Sequence, residues 1–337
     1  MVVSAELPNL LDPLDEPISP QATNPWGDRV FHLVVRGIAG VVLIIFGSIG
    51  VFLAYQSIPT FRRYGLGFLT QSQWNPELDK VGIASTLLGT VEVALVALVV
   101  AFPIALATAL FISEYAPLRI KGLLVALIDL MAAVPSVIYG AWGFFLLMPH
   151  ATMTSRWISE YFGWIPIFKV NTDPAAPLWA QSRFVNSAAI AGLCVSMMVI
   201  PITCSVMRGV FAQAPLGERE AAYALGSTKW GMIRTVVLPF GRGGIIGGTM
   251  LGLGRALGET IAVLFIISLT FNVNFHILQN GTSTISALIA NDFGESTSAQ
   301  LAALLTAGLV LFLMTLAVNT IAAVFITRSR SGAATEI

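Results

Sequence analysis

The sequence predicts an all-helical protein that crosses a membrane six times. Of its 337 residues, 56% are hydrophobic and 11% are charged, whereas a soluble domain carries roughly 25% charged residues. Six apolar segments are long enough to cross a hydrocarbon core, which needs about 20 helical residues. They lie at 34–55, 83–112, 122–148, 187–207, 242–270 and 301–326. We therefore expect an all-α polytopic membrane protein.

The two ends of the chain differ from this apolar middle. Residues 1–30 are polar and acidic and contain five prolines, a composition typical of a disordered tail. They lack a basic start followed by a short apolar stretch, so we expect no cleavable signal peptide. The predicted organisation is a disordered acidic cytoplasmic tail at 1–30, a transmembrane domain at 31–327 and a short cytoplasmic tail at 328–337.

The distribution of Lys and Arg predicts the orientation. With a cytoplasmic N-terminus, the inner segments hold Arg29, Arg36, Arg119, Lys121, Arg208, Arg219, Lys229, Arg234, Arg242, Arg328 and Arg330. The outer segments hold Arg62, Arg63, Lys80, Arg156, Lys169 and Arg183. Because basic residues favour the cytoplasmic side, both termini are predicted to lie inside.

Aromatic residues mark the longest outer connection, 149–186. It contains Trp157, Trp164 and Trp179, together with Tyr161 and Phe162. Since aromatic rings prefer the headgroup zone, a short interfacial helix is expected here; a contact surface for an external protein is the alternative.

The chain contains two cysteines, Cys194 and Cys204, ten residues apart in one apolar run. On one helix this separation is too large for a disulfide, so both are expected to be packing residues.

A polar segment before the fifth apolar run is predicted to form two short helices joined by an elbow. Pro215 to Leu225 has proline in its first turn and early glutamates, and Gly226 suits a left-handed stop. Ser227 is expected to cap a second helix that runs to Pro239. This segment is too short to be a domain, so it is expected to meet a partner at the membrane surface.

Four ionisable residues fall within the apolar runs: Glu92, Asp129, Arg255 and Glu259. Each costs about 2.5–3.5 kcal/mol at a helix centre, so each is expected to face protein or water. Arg255 and Glu259 are four residues apart, which on a continuous helix places them on one face. They could form an internal salt bridge, or Arg255 could bind an oxyanion while Glu259 holds it when the site is empty. Glu92 and Asp129 could make interhelix contacts or line a pathway.

Small residues and one proline predict further features of the spans. Gly243 and Gly247, Gly244 and Gly248, and Gly254 and Gly258 repeat at four-residue spacing in the fifth span. Such spacing lets helices approach closely, so this span is expected to contact a partner subunit. Pro135 is expected to kink the third span, with Ser136 bonding the freed backbone.

The elbow segment resembles the cytoplasmic motif of ABC-importer permeases. The matching positions are Glu220, Ala221, Ala222, Gly226, Val236, Leu238 and Pro239. Three further segments narrow the resemblance to PstC, a family of phosphate-specific importer permeases: PSVIYG (135–140), VFAQAP (210–215) and LGLGRALGETIAV (251–263). The similarity covers about residues 30–327. Gly209 departs from it where an acidic residue is expected, which weakens any ion pair proposed there.

The resemblance implies a six-span, type I (MetI-like) permease fold and inward transport of inorganic phosphate. Its implied partners are a homologous permease PstA, a dimer of the ATPase PstB, the external phosphate-binding protein PstS, and membrane lipid. By the same resemblance Arg255 and Glu259 are associated with phosphate passage, and Glu220, Ala221, Ala222, Gly226, Leu238 and Pro239 couple the chain to the ATPase. No catalytic or metal site and no cofactor are expected in this chain, since no lysine lies in a phosphate loop and ATP and Mg²⁺ would bind the partner.

Three other functions stay open. The same fold could carry another oxyanion, sulfate or molybdate. An ion-gradient-driven carrier would use Glu92, Asp129 and Glu259 as a proton relay and would need no ATPase. A membrane sensor or scaffold would transport nothing. Nucleic acid is not expected as a partner, because the net charge is zero and no basic patch is present.

Overall fold

The computed structural model describes residues 25–170 and 181–329. Two compact units divide after Val51. The described part of the first unit is the beginning of helix α1 (Pro25–Tyr64), whose apolar side chains are exposed. Residues 25–30 of the predicted tail are thus helical, while residues 1–24 lie outside the described part of the chain.

The second unit is built almost entirely from helices. Its short strands β1 (Trp74–Asn75) and β2 (Lys80–Val81) pair antiparallel. The helices in chain order are α2 (Gly67–Thr70), α3 (Ala84–Leu110), α4 (Leu118–Ala133), α5 (Ser136–Trp142), α6 (Met148–Phe162), α7 (Ala188–Phe211), α8 (Leu216–Ala224), α9 (Lys229–Met232), α10 (Leu238–Phe240), α11 (Arg242–Leu257), α12 (Ile261–Ile266), α13 (Ile285–Asp292) and α14 (Ser298–Ser329). Single π-helical turns at Phe111–Tyr115, Gly143–Leu147 and Ile233–Val237 extend α3, join α5 to α6 and join α9 to α10. The 3₁₀ turns are Pro76–Leu78, Pro166–Phe168, Gln181–Arg183 and Phe293–Glu295.

The predicted all-α membrane fold is confirmed. Four straight helices of the described chain are long and apolar enough to cross a membrane: 26–64, 84–115, 188–211 and 298–325. Two bent helix pairs raise the number to six if each counts as one span. The first pair bends within the predicted third span, where only a kink was expected, and the second bends at Gly241, directly before the predicted fifth span.

Helix α7 lies at the centre of the second unit and packs against α3, α11 and α4. Its face toward α3 meets a stripe of buried alanines: Ala94, Ala97, Ala101, Ala105 and Ala109. A Cβ on Gly192 of α7 would lie 3.1 Å from the carbonyl oxygen of Val93. Small residues therefore bring the two backbones close, as is usual for membrane helices.

The third span breaks at Pro135. Helix α4 ends at Ala133, and the helical stretch that begins at Ser136 runs at 89° to it. A proline that precedes a helix fixes its own φ and pushes the preceding residue into extended backbone, and Val134 is extended here. The expected kink is thus a full change of direction, and the hydroxyl of Ser136 does not cap the new helix.

The fifth span breaks after Leu257 and its last helix ends at Ile266. After Ile266 the chain packs back against other helices in a returning segment that begins at Thr282. Thr282 to Leu288 are buried, and helix α13 packs against α14 and α3. The returning segment can pack this closely on α3 because Gly89 has no side chain: a Cβ there would lie 2.1 Å from the carbonyl oxygen of Ser283.

The glycines of the fifth span pack mainly within the chain. A Cβ on Gly244 would lie 2.5 Å from Val210, and one on Gly252 would lie 2.6 Å from Thr203, both on α7. These small residues let α11 and α7 approach closely, and contact of this span with a partner subunit stays a prediction. The predicted packing role of the two cysteines is confirmed, since Cys194 and Cys204 are free and buried in apolar clusters.

Candidate functional site

The elbow segment, Pro215 to Phe240, contains the predicted first helix and its glycine stop. Helix α8 follows Pro215 and ends at Ala224; two residues later, Gly226 has a φ of +84°. The amide of Gly226 donates to the carbonyl of Tyr223, and that of Ser227 donates to the carbonyl of Ala222. These two bonds form a Schellman motif, in which a glycine accepts the left-handed conformation without strain. The expected left-handed stop at Gly226 is confirmed.

The second helix of the elbow segment begins one residue later than predicted. The hydroxyl oxygen of Thr228, not that of Ser227, accepts the capping hydrogen bond from the amide of Gly231 at 3.1 Å. Helix α9, a π-helical turn and α10 then carry the chain to Gly241, where it bends by 67° into α11. The elbow therefore leads directly into the broken fifth span.

The elbow segment has one buried face and one exposed face. Buried side chains of this segment join the C-terminal ends of α3 and α7 in one apolar cluster, with members Ala222, Met232, Ile233, Val237, Ala109, Ile112 and Phe211. Glu220, Ala221 and Pro239 are exposed and Leu238 is half-buried. Large apolar residues are exposed beside them: Leu216, Leu225 and Trp230 are 70%, 88% and 57% accessible. Such a row of exposed apolar groups at a polar surface is typical of a protein contact.

A buried ion pair, which the sequence did not reveal, ties α8 to the second span. Arg219 Nη1 donates to Glu114 Oε2 at 3.0 Å, and Arg219 Nη2 donates to the carbonyl oxygen of Phe211 at 2.6 Å. The side chains of Arg219 and Glu114 are only 17% and 4% exposed. The one available signal was Glu114 itself, an acidic residue directly after a long apolar run.

Arg255 lies in the last turn of α11 and its side chain is exposed on this chain. Within the part of the chain that the structure describes, no salt bridge involves Arg255. A cation there complements the negative end of the helix dipole. Its guanidinium is therefore open to an anion or to a neighbouring subunit.

Glu259, in contrast, is buried, with 9% of its surface accessible. It follows the end of α11, so it does not share a continuous helical face with Arg255, and the salt bridge, one of the two alternatives, does not form. Its Oε1 accepts a long hydrogen bond, 3.4 Å, from the amide of Ala262 at the start of α12. Its carbonyl accepts from Ser286 Oγ of the returning segment at 2.7 Å. The break in the fifth span is thus held by tertiary hydrogen bonds.

Glu92 and Asp129 occupy different environments. Glu92 is half-buried on α3. Asp129 of α4 lies 3.9 Å from Arg208 Nη2 of α7, which is an interhelix contact at the limit of a salt bridge. Arg208 therefore finds its acidic partner on another helix, although the adjacent position is Gly209. The predicted site residues thus form two separate groups, the elbow segment and the region around Arg255.

The predicted outer aromatic segment is helical as far as Phe162. Trp157 and Trp164 are 53% and 80% exposed, and Trp157 contacts Tyr161 with ring centroids 5.1 Å apart. Trp179 lies outside the described residues. Among those that are described, no group of three His, Cys, Asp or Glu side chains is placed to hold a metal ion.

Residues 101–331 match the model of a protein family described as the binding-protein-dependent transport system inner membrane component. The chain is 38% identical to the phosphate transport system permease protein PstC of Xylella fastidiosa strain Temecula1 over 302 residues, which are 89% of this chain and 91% of that protein. It is 37% identical to the protein of the same name from Pasteurella multocida, over 89% of this chain and 92% of that one.

A solved structure of a bacterial alginate ABC transporter, in complex with a periplasmic protein bound to an alginate pentasaccharide, contains a chain of similar fold. It aligns with a TM-score of 0.57 at 16% identity and covers 91% of this chain and 98% of its own. At this identity the similarity concerns the fold alone.

Proposed function

Because the chain belongs to the family of binding-protein-dependent transport system inner membrane components, and within it to the PstC phosphate permeases, we propose that it carries inorganic phosphate into the cytoplasm through an ATP-driven importer. The observation that carries this proposal is the identity of 36–38% to phosphate transport permeases along about nine tenths of the chain. The chain is a membrane component and no enzyme, so the ATPase of the system is a separate subunit.

The elbow segment is the proposed contact with that ATPase. Its exposed residues Glu220 and Ala221 and the apolar side chains Leu216 and Trp230 form the docking face. The other motif positions shape the segment. Ala222 fills a buried position, Gly226 makes the turn, and Leu238 and Pro239 form the helix that leads into the fifth span.

Arg255 is the proposed phosphate contact on the pathway. A guanidinium presents a planar fork of donors that matches a phosphate oxyanion. Glu259 is proposed to set the shape of the pathway beside it, since its carboxylate and carbonyl hold the break between α11 and α12. Glu92 and Asp129 are assigned to contacts between helices, which the proximity of Asp129 to Arg208 supports.

The proposed assembly pairs this chain with the homologous permease PstA, above two copies of the ATPase PstB and below the external binding protein PstS. Both termini lie in the cytoplasm, where the basic residues of the elbow segment also lie. Membrane lipid covers the remaining apolar surface. ATP and Mg²⁺ bind the ATPase subunits.

The test is reconstitution of the four-component complex in proteoliposomes. Radiolabelled phosphate uptake should require ATP on the side of the ATPase and the binding protein on the other side. Unlabelled sulfate and molybdate serve as competitors, and a protonophore serves as the control for an ion gradient.

Three results would contradict the proposal. Competition by sulfate or molybdate as strong as that by phosphate would assign another oxyanion. Loss of uptake on adding a protonophore, with ATP held constant, would assign an ion-gradient-driven carrier. Absence of uptake from a fully assembled complex that hydrolyses ATP would point to a sensor or scaffold.

A further inference from the structure

Arg219 is the point at which three elements meet. It belongs to α8, it donates to Glu114 in the π-helical turn that extends α3, and it donates to Phe211, the last residue of α7. The carbonyl of Phe211 also accepts a hydrogen bond from the amide of Ala214 at 3.2 Å. Because the last carbonyls of a helix carry the negative end of the helix dipole, a cation is a further favourable partner there. One guanidinium thus joins the elbow segment to the inner ends of two spans.

Burial makes this connection strong. Glu114 is nearly inaccessible, and it accepts a second hydrogen bond from Ser113 Oγ at 2.8 Å. A buried charge that loses its partner is strongly unfavourable, so the pair stays closed while the surrounding apolar cluster is intact. Lys229 of α9 adds a further tie, with its Nζ 4.7 Å from the centre of the Tyr115 ring.

One face of α8 therefore contacts the spans, and the other is exposed. Arg219 and Ala222, three residues apart, share the face toward the spans, whereas Glu220, Ala221 and Ala224 are exposed on the opposite side. A force applied by a partner to the exposed face reaches the inner ends of α3 and α7 through Arg219, across two direct hydrogen bonds.

The connection to the fifth span is less direct. It passes through α9, a π-helical turn and α10, and then through a bend of 67° at Gly241. Each of these features is a place where a helix can change direction.

We propose that Arg219 is a positioning residue that locks α8 to the second and fourth spans through Glu114 and Phe211, so that these two spans move as one body with the ATPase-driven elbow. This inference rests on the proposed function and adds the route by which the ATPase moves the spans. A signal of ATP binding would reach α3 and α7 rigidly and reach α11 through the flexible bend.

The first test substitutes the pair in the reconstituted complex. Arg219→Lys keeps the charge but lacks the planar fork, and Glu114→Gln keeps the size but removes the charge. We expect assembled complexes in which phosphate uptake per ATP hydrolysed falls between about twofold and thirtyfold, the range found for residues that carry coupling. A purely structural defect lowers uptake and hydrolysis together and leaves their ratio unchanged. Arg242→Lys, on an exposed arginine after the bend, is the matched control and should keep the ratio of the unsubstituted complex.

The second test does not depend on transport and leaves Arg219 and Glu114 in place. Spin labels at Glu218→Cys of α8 and Phe111→Cys, an exposed position in the π-helical turn that extends α3, report the distance across the locked pair; both native cysteines are buried, which favours labelling at the new sites. In the otherwise unsubstituted complex this distance should stay constant when ATP binds. A distance that changes with ATP, or a normal uptake-to-hydrolysis ratio in both variants, would overturn the proposal. Absence of phosphate uptake by the unsubstituted complex would contradict only the proposed function, because the label distance still decides whether α8 and the second span move together.

Discussion

The elbow segment and the broken fifth span are consecutive in the chain but are stabilised in different ways. The elbow is determined by local signals: a glycine at φ +84°, a threonine cap, a proline before its first helix and a proline in the first turn of its last. The break after Leu257 depends on distant groups, since Ser286 donates to the carbonyl of Glu259 and a Cβ on Gly140 would lie 2.8 Å from the Cα of Ala262. The first region is suited to act as a rigid lever, and the second is suited to change shape around a substrate.

The largest effect is expected at the broken span. Arg255→Ala removes the proposed phosphate contact and should reduce uptake to background, since a hydrogen bond to a charged group contributes about 1.5–3 kcal/mol, or more than tenfold in binding. The complex should still assemble, because this side chain forms no salt bridge within the described chain. Radiolabelled phosphate uptake is the measurement.

Arg242→Ala is the matched control for this variant. It removes an exposed arginine from the opposite end of the same helix and should leave uptake near normal. If the Arg255→Ala complex transported phosphate at the normal rate, Arg255 would have no part in the pathway.

The second prediction tests the rigidity of the elbow. Gly226→Ala places a Cβ at φ +84°, which should destabilise the turn between α8 and α9 by about 1–3 kcal/mol. The ATPase should then be retained less well on the permease, or hydrolyse ATP with less phosphate moved. Co-purification and uptake per ATP are the two measurements.

Gly217→Ala makes the same change inside α8. The position is helical and a Cβ there would meet no atom within 4 Å, so the change should stabilise the helix slightly. Equal behaviour of the two variants would argue against a rigid, conformation-dependent elbow.

The third prediction concerns the packing that the two regions share through α7. Gly252→Ala forces a Cβ to within 2.6 Å of Thr203 Oγ1. Overpacking typically destabilises by about 1–3 kcal/mol, and the lower end applies here because side-chain atoms can move. The thermal unfolding midpoint in detergent should fall, whereas Gly209→Ala on α7, with open space at its Cβ, should not lower it.

The sequence predicted the features that depend on local signals and missed those that depend on tertiary contacts. The positions of the apolar runs, the left-handed Gly226 and the packing of both cysteines were predictable, because hydrophobic length, backbone sterics and burial are local properties. The capping residue was misplaced by one position, since Ser227 and Thr228 are equally suitable caps and the register of the Schellman motif decides between them.

The features that were missed depend on tertiary contacts. The Arg255–Glu259 pair assumed an unbroken helix, and nothing near Leu257 in the sequence ends one except Gly258. The burial of the returning segment from Thr282 depends on bonds to other elements, as when Thr90 Oγ1 accepts from the amide of Ile285 and Ser286 Oγ donates to the carbonyl of Glu259. The Arg219–Glu114 pair joins residues 105 positions apart, a separation at which sequence spacing carries no information.

The smallest effect is expected at the ion pair between Arg63 and Asp79, which is exposed, whereas the pair between Arg219 and Glu114 is buried. On the segment between α1 and α3, Asp79 accepts hydrogen bonds from the Tyr64 hydroxyl at 2.7 Å and from Arg63 Nε at 2.8 Å. These bonds, that of Tyr64 first, hold the pKa of the Asp79 carboxyl below its ordinary value. A lowered pKa means that the carboxylate stabilises the fold above the ordinary pKa of about 3.9, and that this contribution is lost as the pH falls through the pKa of the folded protein.

Asp79→Asn is the variant that isolates this contribution. It keeps a residue type that tolerates the left-handed φ of +58° found here. At neutral pH the unfolding midpoint of the variant should lie slightly below that of the unsubstituted protein, and the gap should close as the pH falls below 4 or so, where both side chains are neutral. Because both partners of this ion pair are more than half exposed, solvent screens the interaction and the gap should be far smaller than the one caused by Glu114→Gln. A gap that stays constant with pH would show that the effect arises from the loop backbone and not from the charge, and a gap as large as that of Glu114→Gln would remove the distinction between the exposed and the buried ion pair.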